Sequence, residues 1–302
     1  MVLDDAPPPD EVTFRWLHLD LWDQRSARWI ADQSKLPPSV QALFLSPDDQ
    51  PRVIGQQGAL GLVLPDFERE FDREETERIG ALRLAVRPGL MVTGRYHPLH
   101  TPDIFRHRAA QAEMLDAPAA LELILNSLSE TLTLRTASVS SALLGLEDKL
   151  LADQDPPDTR SLVALRRLTA RLARMSGGMH TTMVRAIDDP AVAPLYRDVL
   201  GRMERRLQPI ERDVAATQSQ LRLLREELDL QAGQRTNENV YLLSIITALI
   251  MPATLVTGFF GMNTGGMPLE HGGAGTMLAT ILAIGSSLAT WWLLRTMGLI
   301  RR

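Results

Sequence analysis

The sequence of 302 residues contains no cysteine, so the chain forms no disulfide and offers no thiolate that could bind zinc. Only two lysines occur, Lys35 and Lys149, and the formal net charge is −5, which argues against general nucleic-acid binding. A third absence is local. No charged residue lies in the ranges 239–269 and 272–294.

Each of these two uncharged stretches is long enough to cross a hydrocarbon core, which takes about 20 residues of helix. The alternative is two buried helices of a soluble core, but soluble helices rarely continue so far without a charge. We therefore predict membrane helices at about 239–260 and 276–295, joined by an outer loop over 261–275. Residues 1–10 are acidic and proline-rich and do not have the pattern of a signal peptide.

The charges around the two spans predict their orientation. The outer loop contains neither lysine nor arginine, whereas both ends of the pair are flanked by Arg225, Arg235, Arg295, Arg301 and Arg302. Because cytoplasmic flanks are enriched in basic residues, both termini are expected in the cytoplasm, with a short basic tail after the second span. Residues 1–237 would then form a cytosolic domain and 238–302 a transmembrane domain.

The first hundred residues are predicted to form a small mixed α/β region. Residues 14–21 alternate like a strand, and the ranges 51–64 and 81–96 each resemble a hairpin. Short helices are expected near residues 28–32 and 39–45. The acidic stretch from Asp66 to Glu77 is interpreted as a solvated loop, with binding of a regulatory cation as the less favoured alternative.

Residues 101–203 show helical patterns. Long helices are expected over 119–152 and from residue 159 to about 185, the second with a possible break at Gly177-Gly178, and residues 190–200 are a short helix or a turn. From Glu204 an apolar seam repeats every three or four residues at Leu207, Ile210, Val214, Thr217, Leu221, Leu224, Leu228 and Gln231. This seam predicts a stalk helix over 204–237 that continues into the first span, although an antiparallel packing helix would show the same periodicity.

One face of the first span collects small and hydroxyl-bearing residues. Counted as a helix, this face contains Asn237, Val240 or Tyr241, Ser244, Thr247, Met251, Thr254, Gly258 and Gly261. Such a stripe faces either another helix or water. Pro252 leaves the carbonyl near Ala248 without its helical donor, and a hydroxyl such as that of Thr247, or a water, is expected to replace it.

The segment Gly261-Met-Asn263 follows this face at the predicted outer end of the first span, within 258–268. A helix that ends in Gly, Asn and Pro presents backbone and carboxamide oxygens, which can hold the water around a cation. Two spans cannot enclose a pathway by themselves, so a pore requires several copies of the chain around an axis.

These segments resemble the CorA superfamily of divalent-cation transporters. The resemblance is carried by Asn237-Glu-Asn, Met251-Pro-x-Thr254, Gly258-Phe-Phe and above all Gly261-Met-Asn263. The run Asn263-Thr-Gly-Gly-Met-Pro268 is similar to the ZntB branch of zinc transporters, as are residues 147–157 and Trp16-Leu-His-Leu19. The likeness therefore covers nearly the whole chain.

The resemblance implies a homopentamer with a funnel-shaped cytosolic domain, whose stalk helix continues into a pore-lining first span with the second span outside it. It implies a bacterial inner-membrane protein that takes up zinc, with proton coupling as a further implication. Carried over by position, the selectivity filter is Gly261, Met262 and Asn263. The implied pathway residues are Asn237, Val240, Leu243, Thr247, Met251, Thr254 and Gly258, a register that differs from our helical count at Leu243 versus Ser244.

The chemistry of this pathway and the resemblance favour different ions. Carboxamide, hydroxyl and backbone oxygens suit a cation that keeps its water, as Mg²⁺ does, whereas Zn²⁺ without its water prefers nitrogen or sulfur ligands. We predict zinc from the resemblance, bound as a hydrated ion at Asn263, with Mg²⁺, Co²⁺, Ni²⁺ and Cd²⁺ as further candidates and no covalently bound cofactor. The outer-loop site residues are Thr264, Gly265, Gly266, Glu270 and His271, of which Glu270 and His271 could attract a cation or a proton.

Other functions are less well supported by the sequence. The histidines show no metal-ligand spacing, and neither a nucleophile motif nor a phosphate-binding glycine loop occurs, so an enzyme is not expected. The remaining alternatives are a CorA-type Mg²⁺/Co²⁺ channel and a membrane-anchored scaffold or sensor. The expected partners are other copies of the chain, divalent cations and the lipid bilayer, and not nucleic acid.

Overall fold

A computed structural model describes residues 14–69, 78–110, 116–152, 159–262 and 273–299. The chain divides into two compact units, residues 1–224 and 225–302. This division follows packing within the chain and does not mark where a membrane begins. A domain boundary at residue 237 therefore stays a prediction.

The first unit contains a five-stranded mixed sheet in the order β1-β5-β4-β3-β2, in which β1 and β5 pair in parallel and the other neighbours are antiparallel. The sheet and the two hairpins therefore agree with the sequence prediction. The strands are β1 Arg15–Asp20, β2 Arg52–Gln56, β3 Ala59–Phe67, β4 Ile79–Arg87 and β5 Leu90–Arg95.

Both hairpin turns follow from their residues. Gln57 and Gly58 have φ values of 48° and 76°, as a two-residue type I′ turn between β2 and β3 requires. In the second hairpin the turn is Pro88-Gly89, and Gly89 has a φ of 78°. Proline followed by a residue with positive φ is the pattern of a type II turn.

Helices cover both faces of the sheet. On one face, α1 (Gln24–Asp32) and α2 (Pro38–Leu45) pack over a small core that includes Ile30, Val40 and Phe44. The other face belongs to the main core, to which the longer helices contribute. The remaining helices of the described chain are α3 His100–Ala109, α4 Ala117–Leu151, α5 Thr159–Asp188, α6 Pro194–Phe260 and α7 Gly273–Thr296.

Two features of the helices differ from the prediction. Helix α5 is not broken at Gly177-Gly178 but continues through both glycines from Thr159 to Asp188. A Cβ on Gly178 would lie 3.2 Å from Pro51, and one on Gly177 would lie 3.4 Å from the Glu211 carboxylate. Helix α6 begins at Pro194 rather than near Glu204, so residues 194–200 belong to it.

Helix α6 is continuous over 67 residues, as predicted for a stalk that runs into the first span. The predicted apolar seam is buried within the first unit from Leu207 to Leu224. Beyond it, the C-terminal part of α6 and all of α7 meet the length and composition of membrane helices, and their apolar windows are not buried in the chain. This exposure distinguishes them from core helices of a soluble protein.

Asp66 corrects the interpretation of residues 66–77 as a solvated loop. It lies in β3 and is fully buried, and residues 70–77 lie outside the described part of the chain. The Thr101 amide and the Phe67 amide donate to its carboxylate at 2.9 and 2.8 Å, and the Thr101 hydroxyl donates at 2.9 Å. Burial nevertheless raises the pKa of Asp66 to about 7.

This pKa predicts how pH changes the stability of the first unit. Between about pH 4 and pH 7 the folded chain keeps a proton on Asp66 that the unfolded chain has released, so stability falls as pH rises through this range. The substitution Asp66→Asn cannot ionise and should flatten the decline. The measurement is the melting temperature of the purified protein against pH. Between pH 4 and pH 7 we expect it to fall several degrees further in the unaltered protein than in Asp66→Asn.

The control is Asp103→Asn. Asp103 lies in the first turn of α3, and the substitution removes an exposed carboxylate that pairs with Arg69, so the decline with pH should persist. If Asp66→Asn and the unaltered protein lose stability equally between pH 4 and pH 7, Asp66 is not the group that titrates.

Candidate functional site

The seven pathway residues predicted from the resemblance all lie on α6, and all seven are exposed in the single chain. They step along the helix by three or four residues, which keeps them on one face. Both Leu243 and Ser244 are exposed, so burial does not decide between the two registers. The residues are Asn237, Val240, Leu243, Thr247, Met251, Thr254 and Gly258.

Helix α7 packs on a different face of α6. The half-buried residues of this part of α6 are Ile245, Ala248, Leu249, Pro252, Ala253, Val256 and Phe260. At about 100° per residue, their mean direction is opposite to that of the predicted pathway residues. The contact with α7 therefore leaves the face that contains Thr247, Met251 and Thr254 uncovered.

The hydroxyls of the uncovered face bind to their own helix. Ser244, Thr247 and Thr254 donate to the carbonyl four residues earlier, at 2.8, 2.8 and 3.0 Å. A hydroxyl has a single hydrogen, so each of these oxygens can only accept a further hydrogen bond. Water bound to a cation points its hydrogens outward and finds acceptors on such a surface. The same surface offers an anion no side-chain donor from these three residues.

The Gly261-Met-Asn263 segment begins where α6 ends. The helix ends at Phe260, and the Gly261 amide still donates to the Thr257 carbonyl at 2.9 Å. A Cβ on Gly261 would lie 3.0 Å from that same carbonyl oxygen, so glycine suits this close turn. Met262 follows and is exposed. Asn263 and the predicted loop residues Thr264, Gly265, Gly266, Glu270 and His271 lie outside the described residues, and their roles stay predictions.

The hydroxyl expected to compensate for Pro252 is not that of Thr247, which donates to Leu243. A hydroxyl from α7 lies nearby, but Ser287 Oγ donates at 3.0 Å to the Leu249 oxygen, which is not the carbonyl that Pro252 leaves without a donor. Sequence reasoning missed this bond because it joins residues 38 positions apart. It lies on the covered side of α6, so it stabilises the helix pair and not the uncovered face.

The side of α7 that faces α6 consists mostly of small residues. The half-buried positions include Gly275, Ala279, Ala283, Ser286 and Thr290, spaced by three or four residues. Small side chains allow two membrane helices to approach closely, and dispersion contacts then stabilise the pair. From the sequence, the stripe on α6 could have packed against another helix. Within the chain, α7 instead packs against the opposite side of α6.

Two histidines of the first unit have their ring nitrogens occupied. His18 Nε2 accepts from Arg95 Nε at 3.0 Å, so Nδ1 holds the proton and donates to the Thr93 hydroxyl at 2.8 Å. Burial, and then the charge of Arg95, lowers the pKa of His18 to about 4. His180 on α5 contacts Glu204 at 3.2 Å and Glu211 at 2.6 Å through opposite ring nitrogens. Neither ring has a nitrogen free for a metal.

No cluster of three or more His, Cys, Asp or Glu side chains that could hold a metal occurs among the described residues. The uncovered face of α6 has neutral oxygens in place of such ligands. This arrangement fits an ion that passes with its water rather than a resident metal centre.

Comparison with known proteins assigns the chain to a family. The model of the family described as CorA-like Mg²⁺ transporter protein matches residues 11–296. The divalent cation transporter CmaX of Pseudomonas aeruginosa is 25% identical over 293 residues, which cover 93% of this chain and 86% of that protein. The zinc transport protein ZntB of an Enterobacter species is 24% identical over 304 residues, covering 97% and 90% of the two chains.

A comparison of structures agrees. The complete structure of the CorA magnesium transporter from Methanocaldococcus jannaschii superposes with a TM-score of 0.80 and 16% identity, over 99% of this chain and 95% of that one. At this identity the match concerns the fold alone. It confirms the predicted fold class, an α+β domain with long helices followed by two candidate membrane helices.

The hydrogen bond between Ser287 and Leu249 can be tested by substitution. Removing the hydroxyl in Ser287→Ala should destabilise the α6–α7 pair by about 1 kcal/mol, the usual scale for a bond between membrane helices. The matched control is Ser286→Ala, because Ser286 donates within α7 to the Ala283 carbonyl. The measurement is thermal unfolding of the purified protein in detergent. Equal stability of the two variants would contradict the assignment.

Proposed function

The chain belongs to the family of CorA-like Mg²⁺ transporter proteins and is a divalent-cation transporter, and from this premise we propose that it takes up zinc through a pore lined by α6. The observation that carries the proposal is the uncovered face of α6. Its hydroxyls donate to their own helix, so their oxygens remain available only as acceptors, and α7 packs on the opposite side.

The proposed pore is assembled from five copies of the chain. One uncovered face per chain cannot surround an ion, so rotational symmetry has to supply the rest of the wall. The number five comes from the family resemblance. In this arrangement Asn237, Thr247, Thr254 and their neighbours face the axis, and a ring of Asn263 carboxamides forms the outer filter with Gly261 and Met262.

We propose that the ion passes Asn263 with part of its water retained. The described pathway residues offer hydroxyl oxygen and the Met251 thioether, whereas Zn²⁺ without water would seek nitrogen or sulfur from histidine or cysteine. Hydrogen bonds from the ion's water to the hydroxyl oxygens avoid that requirement. Support for zinc comes from the relatives named zinc transport protein ZntB, at 24–25% identity.

A Mg²⁺ or Co²⁺ channel is the second candidate. It is favoured by the same oxygen-rich wall, since Mg²⁺ gives up its water reluctantly. Both candidates place the protein in the bacterial inner membrane with both termini in the cytoplasm. The exposed Arg295 at the end of α7 and the uncharged segment 261–269 support that orientation.

The test is flux of Zn²⁺ and Mg²⁺ into liposomes that contain the purified protein. Asn263→Ala should reduce zinc flux by about tenfold or more, because it removes the filter carboxamide. Thr254→Val keeps the shape of the side chain but removes an acceptor, and a reduction of severalfold is expected. Unchanged zinc flux in Asn263→Ala would contradict the proposal that Asn263 forms the selectivity filter.

The matched control for Thr254→Val is Thr257→Val. Thr257 is also exposed, and its hydroxyl donates to the Thr254 carbonyl, but it is not among the predicted pathway residues. Its flux should equal that of the unaltered protein. Faster flux of Mg²⁺ than of Zn²⁺ would select the second candidate, and no flux of either ion would favour a scaffold or sensor.

Proton coupling requires a titratable group on the pathway. Within the described ranges 239–262 and 273–294 no Asp, Glu or His occurs, so we assign coupling to Glu270 and His271 of the outer loop. An inward pH gradient should then increase zinc flux, and the double substitution Glu270→Gln with His271→Asn should abolish the increase while flux at equal pH persists. If a pH gradient leaves the zinc flux of the unaltered protein unchanged, zinc transport is not coupled to protons.

A further inference from the structure

A second surface of the membrane unit lies outside the proposed ion pathway. It is a groove between α6 and α7, lined by Leu249 and Ala253 of α6 and by Ala283, Ile284, Leu288 and Trp291 of α7. Ser287 also borders it, but its hydroxyl donates to the Leu249 carbonyl. The groove is therefore apolar along its length and offers nothing to an ion.

The groove leads toward a positive charge. Residues 284, 288, 291 and 295 step by four, three and four along α7, which places them on one face of that helix. The guanidinium of Arg295 lies 5.2 Å from the centre of the Trp291 ring, within cation–π distance. Arg295 thus lies about one turn beyond the groove, next to the aromatic ring at its end.

The depth of these residues matches one leaflet. Helix α7 runs from residue 273 to 296, so its middle lies near Ile284. At 1.5 Å per residue, Arg295 lies about 16 Å along the axis from that middle, and half of a hydrocarbon core is about 15 Å. The groove therefore lies beside the acyl chains of one leaflet, while Trp291 and Arg295 approach its headgroups, where tryptophan and arginine concentrate.

We propose that this groove binds an anionic phospholipid, with one acyl chain along Leu288 and Ile284 and the headgroup phosphate at Arg295. Charge complementarity selects this occupant. A helix of a second copy could cover the apolar residues, but its uncharged ranges 239–262 and 273–294 would bring no acidic partner to the exposed Arg295, and among the described residues of the chain no acid forms an ion pair with it.

The test uses the full chain in phosphatidylcholine vesicles to which brominated phosphatidylglycerol or brominated phosphatidylcholine is added in increasing fraction. Bromine quenches tryptophan on contact, and the Trp291 signal is the difference between the unaltered protein and Trp291→Phe. Half-maximal quenching of Trp291 should need about fivefold less phosphatidylglycerol than phosphatidylcholine, the scale for one arginine at a charged surface.

Two pairs of variants distinguish the binding site from general lipid contact. Arg295→Gln should equalise the two lipids, whereas Arg225→Gln, an arginine on α6 ahead of the span, should keep the preference. Ile284→Phe fills the groove and should abolish saturable quenching, whereas Ile281→Phe should not. Ile281 and Ile284 are 56% and 57% exposed on α7, and only Ile284 lines the groove.

Quenching of Trp291 by neither lipid would mean that protein covers the groove and would overturn the proposal. A preference that persists in Arg295→Gln would overturn it as well. The lipid preference should survive in Asn263→Ala, so a failed ion filter and a failed lipid site give different results.

Discussion

Every backbone carbonyl and side-chain hydroxyl of α6 and α7 that lies in hydrocarbon has to find its hydrogen-bond partner within the protein. The continuous helix satisfies most of the carbonyls, and serine and threonine bind back to the turn before them. Close to Pro252, the Ser287 hydroxyl of α7 finds its own acceptor in the Leu249 carbonyl of α6. The same requirement therefore shapes the outward chemistry of the helix pair, because it decides which atoms remain available on its surface.

Much of the fold could be predicted because its signals are local. The Gln57-Gly58 and Pro88-Gly89 turns, the uncharged spans and the stalk seam each depend on residues close in sequence. What could not be predicted depends on distant contacts. Asp66 looked solvated within an acidic run, yet it is buried against Thr101, and the Ser287 hydroxyl binds the Leu249 carbonyl 38 positions away.

The candidate site divides in the same way. Helical periodicity brings Thr247, Met251 and Thr254 to one face from the sequence alone, whereas the position of α7 opposite that face required the structure. In the proposed assembly, the contacts between neighbouring copies decide whether Leu243 or Ser244 faces the axis. In the proposed pore, a wall of neutral oxygens would discriminate between hydrated Zn²⁺ and Mg²⁺ only through small differences in hydration.

The hydroxyl geometry of α6 has a consequence for the movement of protons. A proton moves along a wire only if each link can both receive and pass on a hydrogen, and Ser244, Thr247 and Thr254 each hold theirs against a backbone carbonyl. These hydroxyls therefore add no link to such a wire. In the proposed pore, a hydrated metal ion would pass these hydroxyls without their relaying protons, so a coupled proton has to travel by other groups or by water.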